Sequence, residues 1–221
     1  MIFDISIILI LLMFTLVGLK QGIIKTGVSL IGIILVFIIS YLLKGLIGNL
    51  LCLYLPFFKF NGLTSLNILI YQTIGFIIVF TLLLSIYALI IKISKVLDLA
   101  VNLTIVLIIP SKILGAILGF LEGYIIVFLC LITLMVPLHN SEEFTSSKAV
   151  NRIIYHSPII TKYTAPITNT IKETIILEEE INNNKISINK ANKKILTYMV
   201  KHKVVNKDIV DKLTERNKLK M

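Results

Sequence analysis

Glu122 is the side chain in this sequence whose surroundings most clearly require a chemical explanation. It lies within an apolar run of membrane-spanning length, residues 113–138. An ionisable group in hydrocarbon is costly to bury, and such groups act as proton relays, ion sites or members of buried pairs. The structural alternative is that Glu122 lies near the membrane surface, where it pairs with Lys112 or extends toward the headgroups.

Three other charged residues, all near the ends of the first apolar segment, extend this candidate. Asp4 precedes that segment, and two lysines follow it. A transport path through the protein would use Glu122 together with the two lysines, whereas Asp4 also fits a simpler interpretation, as a marker of the membrane edge. The candidate intramembrane polar site therefore consists of Glu122, Asp4, Lys20 and Lys25.

Tests for known catalytic patterns are negative. Residues 1–138 contain no His, which excludes a Ser/His dyad there, and the sequence has no GxSxG elbow, HExxH zinc motif or P-loop. The three His residues of the chain are scattered over residues 139–221 without metal-ligand spacing. Cys52 and Cys130 lie in apolar surroundings and are interpreted as small hydrophobic residues. We therefore predict no catalytic residue, no metal site and no cofactor, and an enzyme is the class that we expect least.

The elements that must position these residues are membrane helices. The 221 residues are 57 % hydrophobic, more than a soluble domain of this length normally contains. About 20 apolar residues in a helix cross a bilayer, and the backbone polar groups must be satisfied within the segment. The acidic Asp4 and the lack of a small-residue cleavage site predict that the first segment is retained as a membrane helix. Four runs meet these requirements: residues 5–19, extendable to 22, and residues 28–43, 68–91 and 113–138.

Two further stretches contain apolar residues without qualifying as spans. Residues 45–67 combine aromatic residues with Pro56 and Lys59, which is typical of the membrane interface. Residues 96–109 are apolar but too short to cross, and they end at Pro110. We predict an interfacial or partly buried helix for them, and a re-entrant segment is the alternative.

Small residues at helical spacing predict how the helices pack. Glycines four residues apart let a neighbouring backbone approach closely, which drives helix association where lipid offers no hydrophobic contrast. The second run offers a comparable face with Ser29, Ile33, Val36 and Ser40, and the third with Thr81, Ser85, Ala88 and Lys92. The predicted helix-packing residues are Gly18 and Gly22 on the first run and Gly115, Gly119 and Gly123 on the fourth.

The last third of the chain is polar and basic. The chain carries a net charge of +10, and fifteen of its 22 Lys and Arg residues lie in residues 139–221. Pro158 and Pro166 should divide short helices, and apolar residues at helical spacing follow: Ile188, Ala191, Ile195, Tyr198 and Met199. Asn206 can cap one more short helix. We predict a four-helix transmembrane domain (1–138), a linker with short helices (139–184) and a basic helical hairpin tail (185–221).

The partner of this tail can be inferred only by class. A basic segment can bind anionic lipid or nucleic acid. Nucleic acid is not expected, because the chain is tethered to a bilayer and the basic segment lacks clustered Arg and interleaved aromatic residues. The hairpin is interpreted as an interaction module for a membrane or envelope protein, or for a second copy of the chain. The alternative is a solvated terminal helix without a partner.

These patterns together resemble those of the colicin V production protein (CvpA) family. The resemblance is carried by Asp4, residues 18–25 and above all the glycine run in residues 113–128, while residues 191–219 look like the C-terminal extension of its low-GC Gram-positive members. It implies a four-span bacterial membrane protein linked to bacteriocin production or export and to envelope maintenance. Relatives often have an Asn or an Asp-Arg pair where this chain has residues 110–112, so no role for an Arg is carried over. The family has no assigned catalytic residues.

Orientation and function follow as expectations. Lysine and arginine residues near the helix ends favour both termini outside the cytoplasm by five to four, and the resemblance agrees, because an extracytoplasmic serine protease follows this domain in some relatives. We expect an all-α, polytopic protein of the bacterial cytoplasmic membrane that acts as an accessory or scaffold protein in toxin production. The alternative is a small transporter or channel subunit built around Glu122.

Overall fold

The structure, a computed structural model, describes residues 2–93, 108–135, 137–138, 141–157 and 160–219. These residues form helices and no strand, which confirms the all-α prediction. The helices, in chain order, are α1 (Ile2–Tyr54), α2 (Leu66–Ile93), α3 (Ile108–Met135), α4 (Glu142–Thr145), α5 (Lys148–His156), α6 (Ile160–Asn182), α7 (Ile188–Lys201) and α8 (Lys207–Glu215), with a 3-10 turn at Phe60–Gly62 between α1 and α2.

Three of these helices are long and apolar enough to cross a membrane: Ile2–Tyr54, Leu66–Lys92 and Pro110–Met135. At 1.5 Å per residue, the 53 residues of α1 would measure about 80 Å if straight, more than twice the thickness of the hydrocarbon layer. Helix α1 therefore cannot be a single straight span.

Gly22 interrupts α1. Its φ of 76° and ψ of 174° are not helical and are accessible almost only to glycine. The Thr26 hydroxyl donates to Gly22 O at 2.8 Å and to Gly18 O at 3.5 Å. Residues eight apart in a straight helix are separated by about 12 Å along the axis, so the second contact requires a sharp bend. We call residues 2–21 α1a and residues 23–54 α1b.

The contacts with α3 show that the chain reverses at this bend. On α1a, Gly18 lies against Gly115 and Gly119, whereas the earlier Phe14 lies against Gly119 and Gly123, so α1a and α3 are antiparallel. On α1b the order is opposite. Ile23 N donates to Ser111 Oγ, Gly27 faces Leu118 and Ser29 donates to Glu122. The residue numbers rise together along both helices, so α1b and α3 are parallel. The three candidate helices therefore contain four apolar helical segments, in line with the prediction of about four.

The described chain divides into two compact units. The first unit consists of Met1–Tyr41 and Phe80–Tyr155, and the second consists of Leu42–Val79 and His156–Met221. The first unit contains α1a, the start of α1b, the end of α2, and α3 to α5. The second contains the rest of α1b and α2, the loop between them, and α6 to α8.

The helix boundaries differ from the predicted runs at two places. The second run does not end at Lys44, because α1 continues to Tyr54. Lys44 is only 8 % exposed, and the polar side chains beyond it are accommodated between α1b and α2, where Gln72 Nε2 donates to Asn49 Oδ1 at 2.7 Å. The fourth run begins earlier than predicted, at Ile108. Pro110 is tolerated in the first turn of this helix, because a backbone N–H there would have no intrahelical acceptor and its absence costs no hydrogen bond.

Two predictions about helix interruptions and faces are wrong. Helix α6 runs through Pro166, since one missing donor does not outweigh the packing of its later buried residues, among them Ile171 and Leu177. The expected small and polar face of the third run is exposed rather than packed (Thr81, Ser85, Ala88 and Lys92). The Ser85 hydroxyl donates to Thr81 O of its own helix, so it needs no neighbouring helix. Most of the predicted segment 96–109, and Pro158, lie outside the described residues.

The Gly22 bend generates a first testable prediction. We expect Gly22→Ala to lower the free energy of unfolding by about 1–3 kcal/mol, because a Cβ is strained at this φ and ψ. The measurement is SDS-driven unfolding of the purified protein in detergent micelles, followed by circular dichroism. Gly27→Ala is the matched control, since its Cβ would meet only Leu118 Cδ1 at 3.6 Å. Equal losses for the two variants would contradict the proposed reversal at Gly22.

Candidate functional site

Four of the five predicted packing glycines meet in the first unit. A Cβ on Gly18 would lie 2.9 Å from Gly119 Cα, and one on Gly119 would lie 3.0 Å from Gly18 Cα. A Cβ on Gly115 would lie 2.7 Å from the carbonyl carbon of Gly22. Backbone thus packs directly on backbone at this crossing, and any larger residue would force the helices apart.

The fifth glycine, Gly123, packs differently. A Cβ there would lie 2.7 Å from Phe14 Cβ, so this glycine makes room for an aromatic side chain rather than for a second glycine. Gly32 on α1b has a similar role, because the ring of Tyr87 from α2 lies against it. The Tyr87 hydroxyl also donates to Val28 O at 2.8 Å. This unit therefore uses glycine both for close backbone approach and for seating rings.

Glu122 lies within the same packed region. Ser29 Oγ donates to Glu122 Oε1 at 2.9 Å, which joins α1b to α3 through a neutral donor and a carboxyl group. Glu122 is half-buried, whereas Lys112 is exposed. Among the described residues, no ion pair joins Glu122 to Lys112. The structure thus places Glu122 at a contact between helices and not in an ion pair with Lys112.

The other members of the candidate polar site are Asp4, Lys20 and Lys25. Asp4 Oδ1 accepts hydrogen bonds from Ser147 Oγ at 2.9 Å and from Ala149 N at 3.1 Å. A carboxylate at the first turn of a helix satisfies otherwise unpaired N–H groups and is favoured by the helix dipole, so Asp4 caps α5. Lys20 is exposed and Lys25 is partly exposed. Among the described residues, Glu122 forms no hydrogen bond or ion pair with any of these three side chains, and their joint role with Glu122 stays a prediction.

In the described part of the chain, no group of three or more His, Cys, Asp or Glu side chains is arranged to hold a metal ion. In the same part of the chain, Cys52 is a buried free thiol and Cys130 an exposed one.

In the second unit, the tail is docked on the loop between α1 and α2. Asn192 of α7 is completely buried. Its Oδ1 accepts from Ser65 N at 3.1 Å and from Ser65 Oγ at 2.8 Å, while its Nδ2 donates to Gly62 O at 2.9 Å. One amide side chain thus bonds to both ends of a short loop segment more than 120 residues away in sequence.

A second contact lies at the C-terminal end of α1. Lys218 Nζ donates to the carbonyl oxygens of Cys52 at 3.0 Å, Leu53 at 2.7 Å and Leu55 at 2.9 Å. The last carbonyls of a helix lack intrahelical donors and carry partial negative charge, so an ammonium group satisfies both needs. Desolvation, and then the neighbouring charge of Arg216, lowers the pKa of Lys218.

Aromatic rings add to this second contact. The Lys218 ammonium lies 5.3 Å from the ring centre of Phe57, and the Arg216 guanidinium lies 5.9 Å from that of Tyr54. Arg216 Nη1 also donates to Leu53 O at 3.2 Å. The final turn of the described chain therefore binds the end of a membrane helix through cations, carbonyls and rings.

The sequence predicted the helices of the tail but not its anchors. Helices α7 and α8 lie where apolar spacing placed them, and Asn206 immediately precedes α8, although its side chain makes no capping bond. These residues are docked on the chain's own loop, and the binding of a separate partner by the tail stays a prediction. Asn192 could have been noticed as the polar neighbour of Ala191 on the apolar face of α7, whereas Lys218 carries no local signal.

The buried amide generates a second prediction. Asn192→Ala leaves the Ser65 and Gly62 groups without their partner, so we expect a loss of about 1–3 kcal/mol in the free energy of docking of the tail. Amide hydrogen exchange of the loop and of α7 in the full chain measures this loss. The matched control is Asn189→Ala, an exposed asparagine on the same helix. Unchanged protection at Ser65 in Asn192→Ala would contradict the docking.

Comparison with known proteins adds one match. No curated protein and no solved structure matches the chain. The family model described as colicin V production protein matches residues 3–158, well over half of the 221 residues. The matched segment includes both sides of the glycine contact and the Asp4 cap. The chain belongs to the colicin V production protein family.

Proposed function

We propose that this protein is an accessory or scaffold protein of the bacterial cytoplasmic membrane, which serves bacteriocin production or export and envelope maintenance. Family membership supports a role of this kind, and the apolar helices support a place in the membrane. In this proposal the protein assembles other components and catalyses no reaction. Its partners are the lipid bilayer, a second copy of the chain, or an envelope protein bound through the tail.

One observation carries the proposal: the tail is folded onto the loop between α1 and α2. Asn192 and Lys218 together make six hydrogen bonds to that loop and to the end of α1. A tail that served only as a solvated end would not need a buried amide. A docked tail presents its outer surface in a defined orientation, which is what a scaffold requires.

A transporter built around Glu122 is the competing proposal. A carboxyl group within an apolar helix favours it, because such groups commonly lie on ion or proton paths. In this structure Glu122 accepts a hydrogen bond from Ser29 across a packed helix contact. A glutamine offers the same carbonyl oxygen to Ser29 but cannot release a proton, so one substitution separates the two proposals.

The test uses a bacteriocin-producing strain that lacks this gene. We expect Glu122→Gln to restore bacteriocin release to within about twofold of wild type. Gly119→Ala should reduce release at least tenfold, because its Cβ would clash with the backbone of α1a. Gly45→Ala is the matched control, since its Cβ would meet only Asn49 Nδ2 at 3.7 Å. Immunoblotting of membranes reports whether each variant accumulates.

Loss of release in Glu122→Gln, at normal protein levels, would overturn the scaffold proposal. A proton or ion flux in proteoliposomes that requires Glu122 would establish the competing one.

The proposed orientation has both termini outside the cytoplasm. A cysteine at the exposed position 189 on α7, in a Cys130→Ser background, reports it directly. We expect an impermeant maleimide to label Asn189→Cys in intact cells as completely as in permeabilised cells. Labelling only after permeabilisation would place the tail in the cytoplasm.

A further inference from the structure

The outer face of α7 carries an unusual concentration of positive charge. Four lysines and Thr197 recur at spacings of three and four residues, which places them on one side of the helix. All five side chains are exposed, whereas the opposite face is buried. We call this surface the lysine stripe: Lys190, Lys193, Lys194, Thr197 and Lys201.

No acidic side chain belongs to this stripe. Helix α7 itself contains four Lys and no Asp or Glu. None of these lysines forms an ion pair with a described acidic residue, including those of α6 and α8. With Tyr198, the stripe lines one shallow, open cleft. Four unpaired ammonium groups around such a cleft produce a positive potential that attracts a negatively charged surface.

The exposed residues of α1b show where the membrane ends in this unit. Leu42, Leu46 and Leu50 form a stripe that is 73, 65 and 51 % exposed, as expected for side chains facing lipid. The stripe ends at Tyr54, 73 % exposed, and Phe58, 59 % exposed. Aromatic residues of this kind concentrate at headgroup level, so the end of α1 and the following loop lie at the membrane surface.

Helix α7 is attached at that level. Ile188, in its first turn, lies against Gly62, and Asn192 bonds to Gly62 and Ser65 of the same loop. Lys190 lies between Ile188 and Asn192 in sequence, and Lys193 and Lys194 lie on the following turn of α7. The rise from Lys190 to Lys194 is about 6 Å, comparable to the thickness of one headgroup layer, so the lysines nearest the attached end of α7 lie within reach of the headgroups.

We propose that the lysine stripe binds the headgroups of anionic phospholipids in the leaflet that borders the loop. Ammonium groups form charge-assisted hydrogen bonds with phosphate oxygens, and the attraction per lysine corresponds to about a fivefold preference for an anionic surface. The position at headgroup level favours lipid over an acidic protein. The inference extends beyond the scaffold role and does not depend on it.

The experiment uses the full chain in proteoliposomes. A fluorophore on Thr197→Cys, in the Cys130→Ser background, reports proximity to lipids that carry a nitroxide on the headgroup. We expect quenching to be at least threefold stronger with phosphatidylglycerol present than in phosphatidylcholine alone, and to decrease at high salt because headgroup attraction is screened.

Substitutions identify the residues responsible. Changing all four lysines of the stripe to Gln should remove the phosphatidylglycerol-dependent quenching, whereas changing them to Arg should keep it. The matched control changes Lys207 and Lys212, exposed lysines of α8, to Gln and should leave quenching unchanged. Hydrogen exchange at Ser65 checks that each tail remains docked.

Equal quenching in neutral and anionic bilayers would overturn the proposal for the wild-type chain, whatever the variants do. So would binding of an acidic protein to the stripe without any effect of phosphatidylglycerol. If the Gln variant loses its docking, the wild-type salt dependence and the Arg variant decide the question.

Discussion

The close approach of two backbones is the constraint on which the membrane part depends. Lipid is as apolar as the helix surfaces, so helices hold together only where they pack closely or share polar bonds. Gly18, Gly115 and Gly119 provide that packing, and Gly22 makes it geometrically possible by turning α1b back along α3. Glycine thus serves two distinct needs within a few residues, absence of a Cβ at the crossing and a φ of 76° at the bend. The Ser29–Glu122 bond follows from the same reversal, because it requires α1b alongside α3.

Local patterns predicted the helices well and their ends poorly. Hydropathy over about 20 residues identifies a span because the bilayer imposes that length on every segment. Lys44 looked like an end because a charge usually leaves the membrane, but here α1 continues to Tyr54 beside α2. Gly75 of α2 packs there against the backbone of Gly48 of α1b, where a Cβ on Gly75 would lie 2.8 Å from Gly48 Cα, and this contact joins residues far apart in sequence. The predicted helix contact through Thr81 and Ser85 is wrong for a related reason. Small polar residues mark a contact only where a neighbouring helix is present, and these two side chains are exposed.

The candidate sites show the same division between local and distant information. Glu122 could be recognised from the sequence because an acid in an apolar helix is conspicuous, but its partner Ser29 could not, because the register between two helices is not encoded locally. The function of Asp4 as a cap for α5 could not be predicted, because the segment that it caps lies more than 140 residues away. Asn192 and Lys218 are ordinary residues in a polar tail. They become informative only when the loop that they bind is known.

Helix α7 of the tail has two faces with different roles. The buried face of α7 uses Asn192 to hold the loop between α1 and α2, and the exposed face carries the lysines. If the exposed face binds lipid, each contact favours the other, because docking orders the lysines before they meet the headgroups and lipid binding disfavours release of the helix. Such coupling is reciprocal, so weakening the Asn192 contact must also weaken attachment to lipid. A scaffold gains from this arrangement, since its docking surface then keeps a defined orientation relative to the membrane in which its partners work.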